Sequence, residues 1–234
     1  MKTFFKIFSI FCLLGCFQFS ADAQTVKKKL TADLHAGLNF AEMDVNNGQN
    51  EDNKLKLGAV VGVNINYKIY GNIQLQTGFY VSKKGLKQEA HSETTTALKD
   101  VYILDTVRTT VANYIQIPLA IGYEVYLTRN FAFNVNMGLY GAYGFKGTYE
   151  NKYSKATIPY GGNIIYEPLQ VGSGETFDLN KWKRLDYGLI GSIGFIYDIY
   201  TINLNYERGL NNITRESWST LKNRNISILL GLRF

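Results

Sequence analysis

Cysteine, histidine and proline are nearly missing from this chain: two, two and three in 234 residues. Both cysteines, Cys12 and Cys16, precede residue 24, so a chain trimmed there draws no stability from disulfides. With only His35 and His91 and no mature cysteine, the chain offers no cysteine ligands and no histidine pair at ligand spacing, so a metal site has no support. An envelope lipase or protease needs a His-based nucleophilic or acid–base constellation. His91 has Ser92 and Glu93 beside it, but adjacent residues in a polar stretch rarely converge on one point. We therefore expect no enzyme, no metal and no cofactor. Long apolar runs are also scarce. Past residue 23 none approaches the ~18 residues of a transmembrane helix. Charge of one sign is modest: removing Lys2, Lys6 and Asp22 lowers the net charge from +6 to about +5. Lys27-Lys28-Lys29 is a short basic run, better read as a solvated tag than as a nucleic-acid contact, because no basic stripe with interleaved aromatics accompanies it.

What is present begins with an export signal. Lys2 and Lys6 precede an apolar run from Ile7 to Phe19 and then Ala21-Asp22-Ala23, the small-x-small pattern of signal-peptidase cleavage. This makes residues 1–23 a signal peptide and 24–234 the mature domain. Leu13-Leu14-Gly15-Cys16 also reads as a lipobox, which would leave a lipid-bearing Cys16 at the head of the chain instead.

The mature part alternates apolar and polar residues in eight segments, the weak signature of barrel strands. They are 31–43, 55–67, 73–84, 111–125, 131–146, 183–197, 200–210 and 223–234. In the fourth, Ile115, Ile117, Leu119, Ile121 and Tyr123 oppose Gln116, Pro118, Ala120, Gly122 and Glu124. Connections alternate too: 44–54, 85–110, 147–182 and 211–222 are long and polar, whereas 68–72, 126–130 and 198–199 are tight. Outer-membrane barrels carry long loops outside and short turns toward the periplasm, so both termini are expected on the periplasmic side.

A soluble eight-stranded barrel would need Lys, Glu and Asp on its outer face. Here the less apolar face is mostly Gly, Asn, Gln, Ser and Tyr, which suits a narrow lumen filled by hydrogen-bonding side chains, with Leu, Ile, Val and Phe toward lipid. Aromatics gather where headgroups would lie. Tyr67, Tyr70, Tyr123, Tyr126, Phe131, Phe195, Tyr197 and Tyr200 adjoin the tight turns; Phe79, Tyr143, Phe145 and Tyr187 adjoin the loops. The expected fold is an all-β, eight-stranded antiparallel up-and-down barrel in the outer membrane of a Gram-negative bacterium. Pro118 contradicts a continuous ladder, because it cannot donate and a closed barrel has no free edge; a bulge or local break is expected at Ile117-Pro118.

The segment Tyr114-Ile115-Gln116-Ile117-Pro118-Leu119, followed by Tyr123, resembles the Tyr-x-Glu/Gln-Ile-Pro-Leu stretch of the PorT-like outer-membrane β-barrels, small barrels of the OmpA and OmpX type. Arg184-x-Asp186-Tyr187-Gly188 and the ending Gly231-Leu232-Arg233-Phe234 are similar to that family as well. The resemblance implies a fold and an address rather than an activity.

Lumen charges are expected in two tiers: Asp33, His35, Glu124 and Arg233 near the turns, and Lys84, Lys146, Arg184, Asp186 and Glu207 near the loops. Buried charges need partners, so they should form salt-bridged networks that plug the barrel. Phe234 closes the last strand as the barrel-assembly terminus. Residues 147–182 carry Tyr149, Tyr153, Tyr160, Tyr166, Phe177 and Trp182, which suit either an adaptable binding surface or packing onto the rim. Two functions remain: an interaction or scaffold barrel using loops 85–110 and 147–182 or joining a secretion-type envelope assembly, and a narrow porin-like channel for ions or small solutes.

Overall fold

A computed structural model describes residues 29–46, 52–178, 181–216 and 219–234. The expected signal peptide and both cysteines lie outside the described residues.

The strands are β1 (Leu30–Asn46), β2 (Asp52–Lys54), β3 (Lys56–Tyr70), β4 (Ile73–Thr95), β5 (Val101–Tyr126), β6 (Phe131–Ile158), β7 (Ile165–Tyr166), β8 (Gln170–Glu175), β9 (Leu185–Tyr197), β10 (Tyr200–Gly209) and β11 (Thr220–Arg233). Eight of them close an antiparallel ring in the order β1, β3, β4, β5, β6, β9, β10, β11 and back to β1. Closure pairs Asp33 with Arg233 and Asn46 with Thr220. A ring leaves no unpaired backbone edge, the condition for crossing lipid with strands.

The barrel is inside out relative to a soluble one. Along β5, Gln116 is 3% exposed whereas its neighbour-but-two, Leu119, is 56% exposed, and the alternation holds through Glu124. Asn39, Asn66, Gln74, Asn134, Asn136 and Asn225 are buried, while Leu38, Val61, Ile121, Met137, Ile193 and Leu230 face outward. At the end away from the tight turns this apolar belt stops at Arg224, which pairs with Glu42 (2.6 Å) and Asp44 (3.3 Å) on the outer surface.

The tight turns are short because their residues accept left-handed backbone. Gly71 has φ 56° between β3 and β4, and Asp198, a side chain that tolerates this region, has φ 54° between β9 and β10.

The opposite end differs from the sequence expectation. Stretches 85–110 and 147–182 are largely sheet rather than loop: β4 and β5 stay in register from Gly85↔Val111 out to Thr95↔Val101, and β6 follows β5 out to Ile158. Segment 101–111 (Val-Tyr-Ile-Leu-Asp-Thr-Val-Arg-Thr-Thr-Val) is rich in β-branched residues, which favour a pleated surface even when polar. With β2 against β4 and β7 and β8 against β6, a five-stranded-wide sheet projects beyond the ring.

At Pro118 the ladder breaks without slipping. Pairing between β4 and β5 runs to Thr77↔Leu119 and resumes at Tyr80↔Gln116 in the same register, while Pro118 remains paired with Tyr140 of β6. Thr77 Oγ1 donates to the Pro118 carbonyl at 2.9 Å and bridges the gap.

Candidate functional site

Inward-facing positions of the ring strands fill the lumen in layers. At the turn end, Arg233 of β11 meets Asp33 of β1 with two bonds, Nε to Oδ1 at 2.6 Å and Nη2 to Oδ2 at 2.9 Å. This fork geometry is the strong form of the carboxylate pair. Its Nη1 donates to Glu124 Oε2 at 2.7 Å, and Lys68 reaches the other Glu124 oxygen at 3.0 Å. Two carboxylates thus balance two cations. Lys68, not among the expected lumen charges, curls in from the end of β3 and donates to Tyr126 at 2.7 Å; Tyr126 donates on to Glu124 at 2.7 Å. Lys68 continues the inward row of Asn64 and Asn66 and pairs with the buried Gln74, a signal hidden by reading 68–72 as a tight turn.

One layer further in lies His35. Asn203 Nδ2 donates to its Nε2 at 2.9 Å, which leaves the ring proton on Nδ1 beside Tyr80 OH at 3.0 Å. Thr201 Oγ1 lies 3.1 Å from Nε2. Every polar atom of this ring is engaged inside the barrel wall, a structural histidine. Around it an amide network runs from Gln74 to Asn136 (3.1 Å) and from Asn136 to Ser192 (3.0 Å).

The second charged layer centres on Lys84 of β4. Its ammonium donates to Glu207 Oε2 at 2.8 Å and Gln116 Oε1 at 3.0 Å, lies 3.9 Å from Asp186, and faces the rings of Tyr114 and Tyr140. Gln116 and Asn225 donate to Glu207, while Tyr140 and Asn223 donate to Asp186. One lysine thus serves two buried carboxylates; amides and a phenol donate to them as well, while among the described residues Asp186 Oδ1 has no hydrogen-bond partner.

Two residues expected in this layer are not in it. Lys146 faces outward, because β6 carries a bulge against Asn113/Tyr114 that inserts Phe145 and reverses the parity of the strand beyond it. The glycines bracketing the insertion, Gly144 and Gly147, both turn inward. Arg184 stays at the rim and donates to the carbonyls of Gly144 (3.0 Å) and Phe145 (3.3 Å) beside the bulge; its guanidinium lies over the Phe177 ring.

Above the second layer an apolar lid closes the mouth. Phe177 and Trp182, from the connection before β9, and Ile213, from the connection after β10, pack with Met43, Leu86, Tyr114 and Leu221. The ring of Phe177 fills the space where Gly144 has no side chain, and meets Tyr114 edge-on. Of the aromatics in 147–182, Phe177 and Trp182 therefore pack into the barrel, while Tyr160 and Tyr166 remain exposed on the projecting sheet. On that sheet His91 pairs with Asp105 at 2.6 Å, its cross-strand partner, whereas Ser92 turns to the opposite face.

A closed ring with an apolar belt, a polar interior and a projecting outer sheet defines a small outer-membrane β-barrel. The chain belongs to the family described as outer membrane protein beta-barrel domain, which matches residues 22–215, and so to the outer membrane of Gram-negative bacteria. Among solved structures it is similar to Ail, the attachment invasion locus protein of Yersinia pestis. Identity there is 12% and the TM-score 0.35, over 88% of this chain and 100% of that one. It is also similar to Neisserial surface protein A (8%, TM-score 0.35, 88% and 98%) and to an outer membrane channel from Pseudomonas putida F1 (10%, TM-score 0.29, 92% and 98%). No functionally curated protein matches the chain.

Proposed function

We propose that this barrel is a sealed, non-catalytic platform that holds a projecting sheet above the membrane and captures a partner protein with it. The observation that carries the reading is the pairing of a filled lumen with an unsatisfied outer edge. Two charged layers and an apolar lid occupy the interior of an eight-stranded ring, which is just wide enough to be filled by side chains. By contrast, among the described residues β7 and β8 pair only with β6, and the segment around them exposes Ile164, Ile165, Tyr166, Leu169 and Val171. An open strand edge flanked by exposed apolar side chains is a ready template for strand addition.

In this reading residues 1–23 are removed, 24–234 form one barrel domain, and both termini lie in the periplasm with the sheet outside. The terminal Phe234 is the element read during barrel assembly. The resemblance to PorT-like barrels narrows the partner to a component of an envelope assembly of the secretion type. Crosslinking in intact cells followed by mass spectrometry tests it: replacing 160–170 with a Gly/Ser turn should keep the barrel assembled and lose the crosslinked partner. Capture that survives the replacement refutes the platform.

The competing porin-like reading draws on the polar lumen. The same layers oppose it, because each lumen charge named above has an oppositely charged or hydrogen-bonding neighbour that blocks the axis. Reproducible conductance of the native barrel in planar bilayers would restore it.

A further inference from the structure

Where the apolar belt ends beneath the projecting sheet, β4 turns Lys83 outward and β6 turns Lys146 outward, and between them β5 presents Asn113, the register partner of both. Neighbouring strands lie about 4.8 Å apart, so the two lysine backbones stand roughly 10 Å apart, close enough for their flexible stems to meet on one tetrahedral anion. The bulge builds this pair. It sets Phe145 and Lys146 together against Asn113, with both side chains exposed on the outer surface. Asn113 Nδ2 donates to the Lys146 carbonyl at 3.2 Å, which fixes the amide between the two lysines. Among the described residues neither ammonium has an ion pair. The first acids further out along β4, β5 and β6 are Glu89, Asp105 and Glu150, and Lys87, His91 and Lys152 already hold them. Toward the turns the same three strands expose Phe79, Ile117 and Tyr143 on the outer face. We propose that Lys83 and Lys146 clamp the phosphate of an outer-leaflet lipid whose acyl chains lie along Phe79, Ile117 and Tyr143.

Position selects this ligand. A soluble anion would use the two ammoniums and gain nothing from the apolar strip beneath them. An uncharged lipid would cover the strip and leave two cations at the hydrocarbon boundary without a counter-charge. A phosphorylated lipid supplies both parts in the order in which the strands present them. The far side of the ring, β10, β11 and β1, carries its own counter-charge: Arg208, Lys222 and Arg224 stand there with Glu42 and Asp44, and Arg224 bonds both acids. Those carboxylates occupy the cations and repel a second anion. The lipid therefore seats on the β4 to β6 face.

The assignment to the outer leaflet rests on the orientation proposed above, with the sheet outside. Purified full-length barrel in detergent is titrated with a phosphorylated, acylated glucosamine disaccharide and with the same lipid after phosphatase treatment, and bound lipid is counted by native mass spectrometry. The phosphorylated form is expected to bind at least about tenfold more tightly, and millimolar inorganic phosphate to displace it no better than chloride of equal ionic strength. Lys83→Gln with Lys146→Gln should erase the preference, and Lys83→Arg with Lys146→Arg should keep it. Arg208→Gln with Lys222→Gln, which removes the same charge from the far side, should leave it within about twofold. Each variant should retain the heat-dependent gel shift of a folded barrel. No preference in the native barrel, a preference that survives the Lys83→Gln, Lys146→Gln pair, an equal loss from the far-side pair, or specific displacement by inorganic phosphate overturns the proposal. Orientation is read separately, from labelling of Leu98→Cys at the exposed tip between β4 and β5 by a membrane-impermeant maleimide in intact cells. A labelled tip without lipid preference removes this inference and leaves the platform standing; an unlabelled tip overturns the platform's orientation and the outer-leaflet assignment with it.

Discussion

Arg233 is the residue on which the turn end depends. Replacing it with Met strands Asp33 and Glu124, both almost fully buried, without their shared cation. Breaking a buried pair by removing one partner costs about 3–5 kcal/mol, whereas removing the whole set is far milder. Arg233→Met should thus lower the urea midpoint of the heat-dependent gel shift sharply, and adding Asp33→Asn and Glu124→Gln should recover most of the loss. A triple variant no better than the single one would show that this layer does not act as a charge unit. Outside the membrane belt, Glu89 offers a pH test. Hydrogen bonds from Lys54, and from Lys87 at 2.8 Å, hold its carboxyl down from 4.5 to about 2. Because the folded value is depressed, the stabilisation is present above pH 4.5 and is lost as pH falls through about 2. The pair is exposed, so its effect on global stability is small, and the check is direct: the Glu89 carboxyl resonance should titrate near pH 2, and a midpoint near 4.5 would dissolve the cluster. At this scale much was readable in advance. Asp33 opposite Arg233 follows from alternation plus ring closure, and Lys68 follows from extending the Asn64, Asn66 row one step into the stretch read as a turn, whereas the outward Lys146 does not, because a one-residue bulge leaves the local pattern unchanged.

At the scale of the elements, the bulge in β6 and the lid form one device. Gly144 has no side chain where Phe177 inserts, and Arg184 donates to the carbonyls of Gly144 and Phe145 at the bulge. Gly144→Leu should expel Phe177 and weaken the lid while the ring strands keep their register; tryptophan fluorescence should shift and the gel shift persist. An unchanged fluorescence spectrum would separate the bulge from the lid. The outer hairpin of β4 and β5 is independent in the same sense. Its register continues from the ring but its tip contributes nothing to the barrel wall, so excising 92–104 should leave a folded, heat-shifting barrel. Collapse of that variant would mean that the projecting sheet supports the ring. The hairpins escaped the sequence reading because polar Thr, Lys and Glu occupy both faces, which removes the alternation by which strands in lipid are recognised. The Thr- and Val-rich composition of 101–111 was the signal that remained.

For the whole molecule, the seal is redundant: a turn-end charge layer, an amide layer, a second charge layer and an apolar lid lie in series. Native barrel, Arg233→Met and a Phe177→Ala, Trp182→Ala variant should all be silent in planar bilayers, since any single layer suffices to block the axis. Reproducible conductance steps from either variant would show that the seal lies in one layer. The sequence by itself determined that the chain crosses a membrane as eight strands, which face meets lipid and which end carries the long connections. A period of two and the choice of Asn and Gln over Lys and Glu are local properties that survive without any fold. Only the tertiary structure decided that β1 and β11 set Arg233 between Asp33 and Glu124, that Lys84 bridges strands distant in sequence, and that Phe177, Trp182 and Ile213 close the mouth. Those arrangements depend on inter-strand register and on a parity-reversing bulge, which are properties of pairs of strands and are written in neither strand alone.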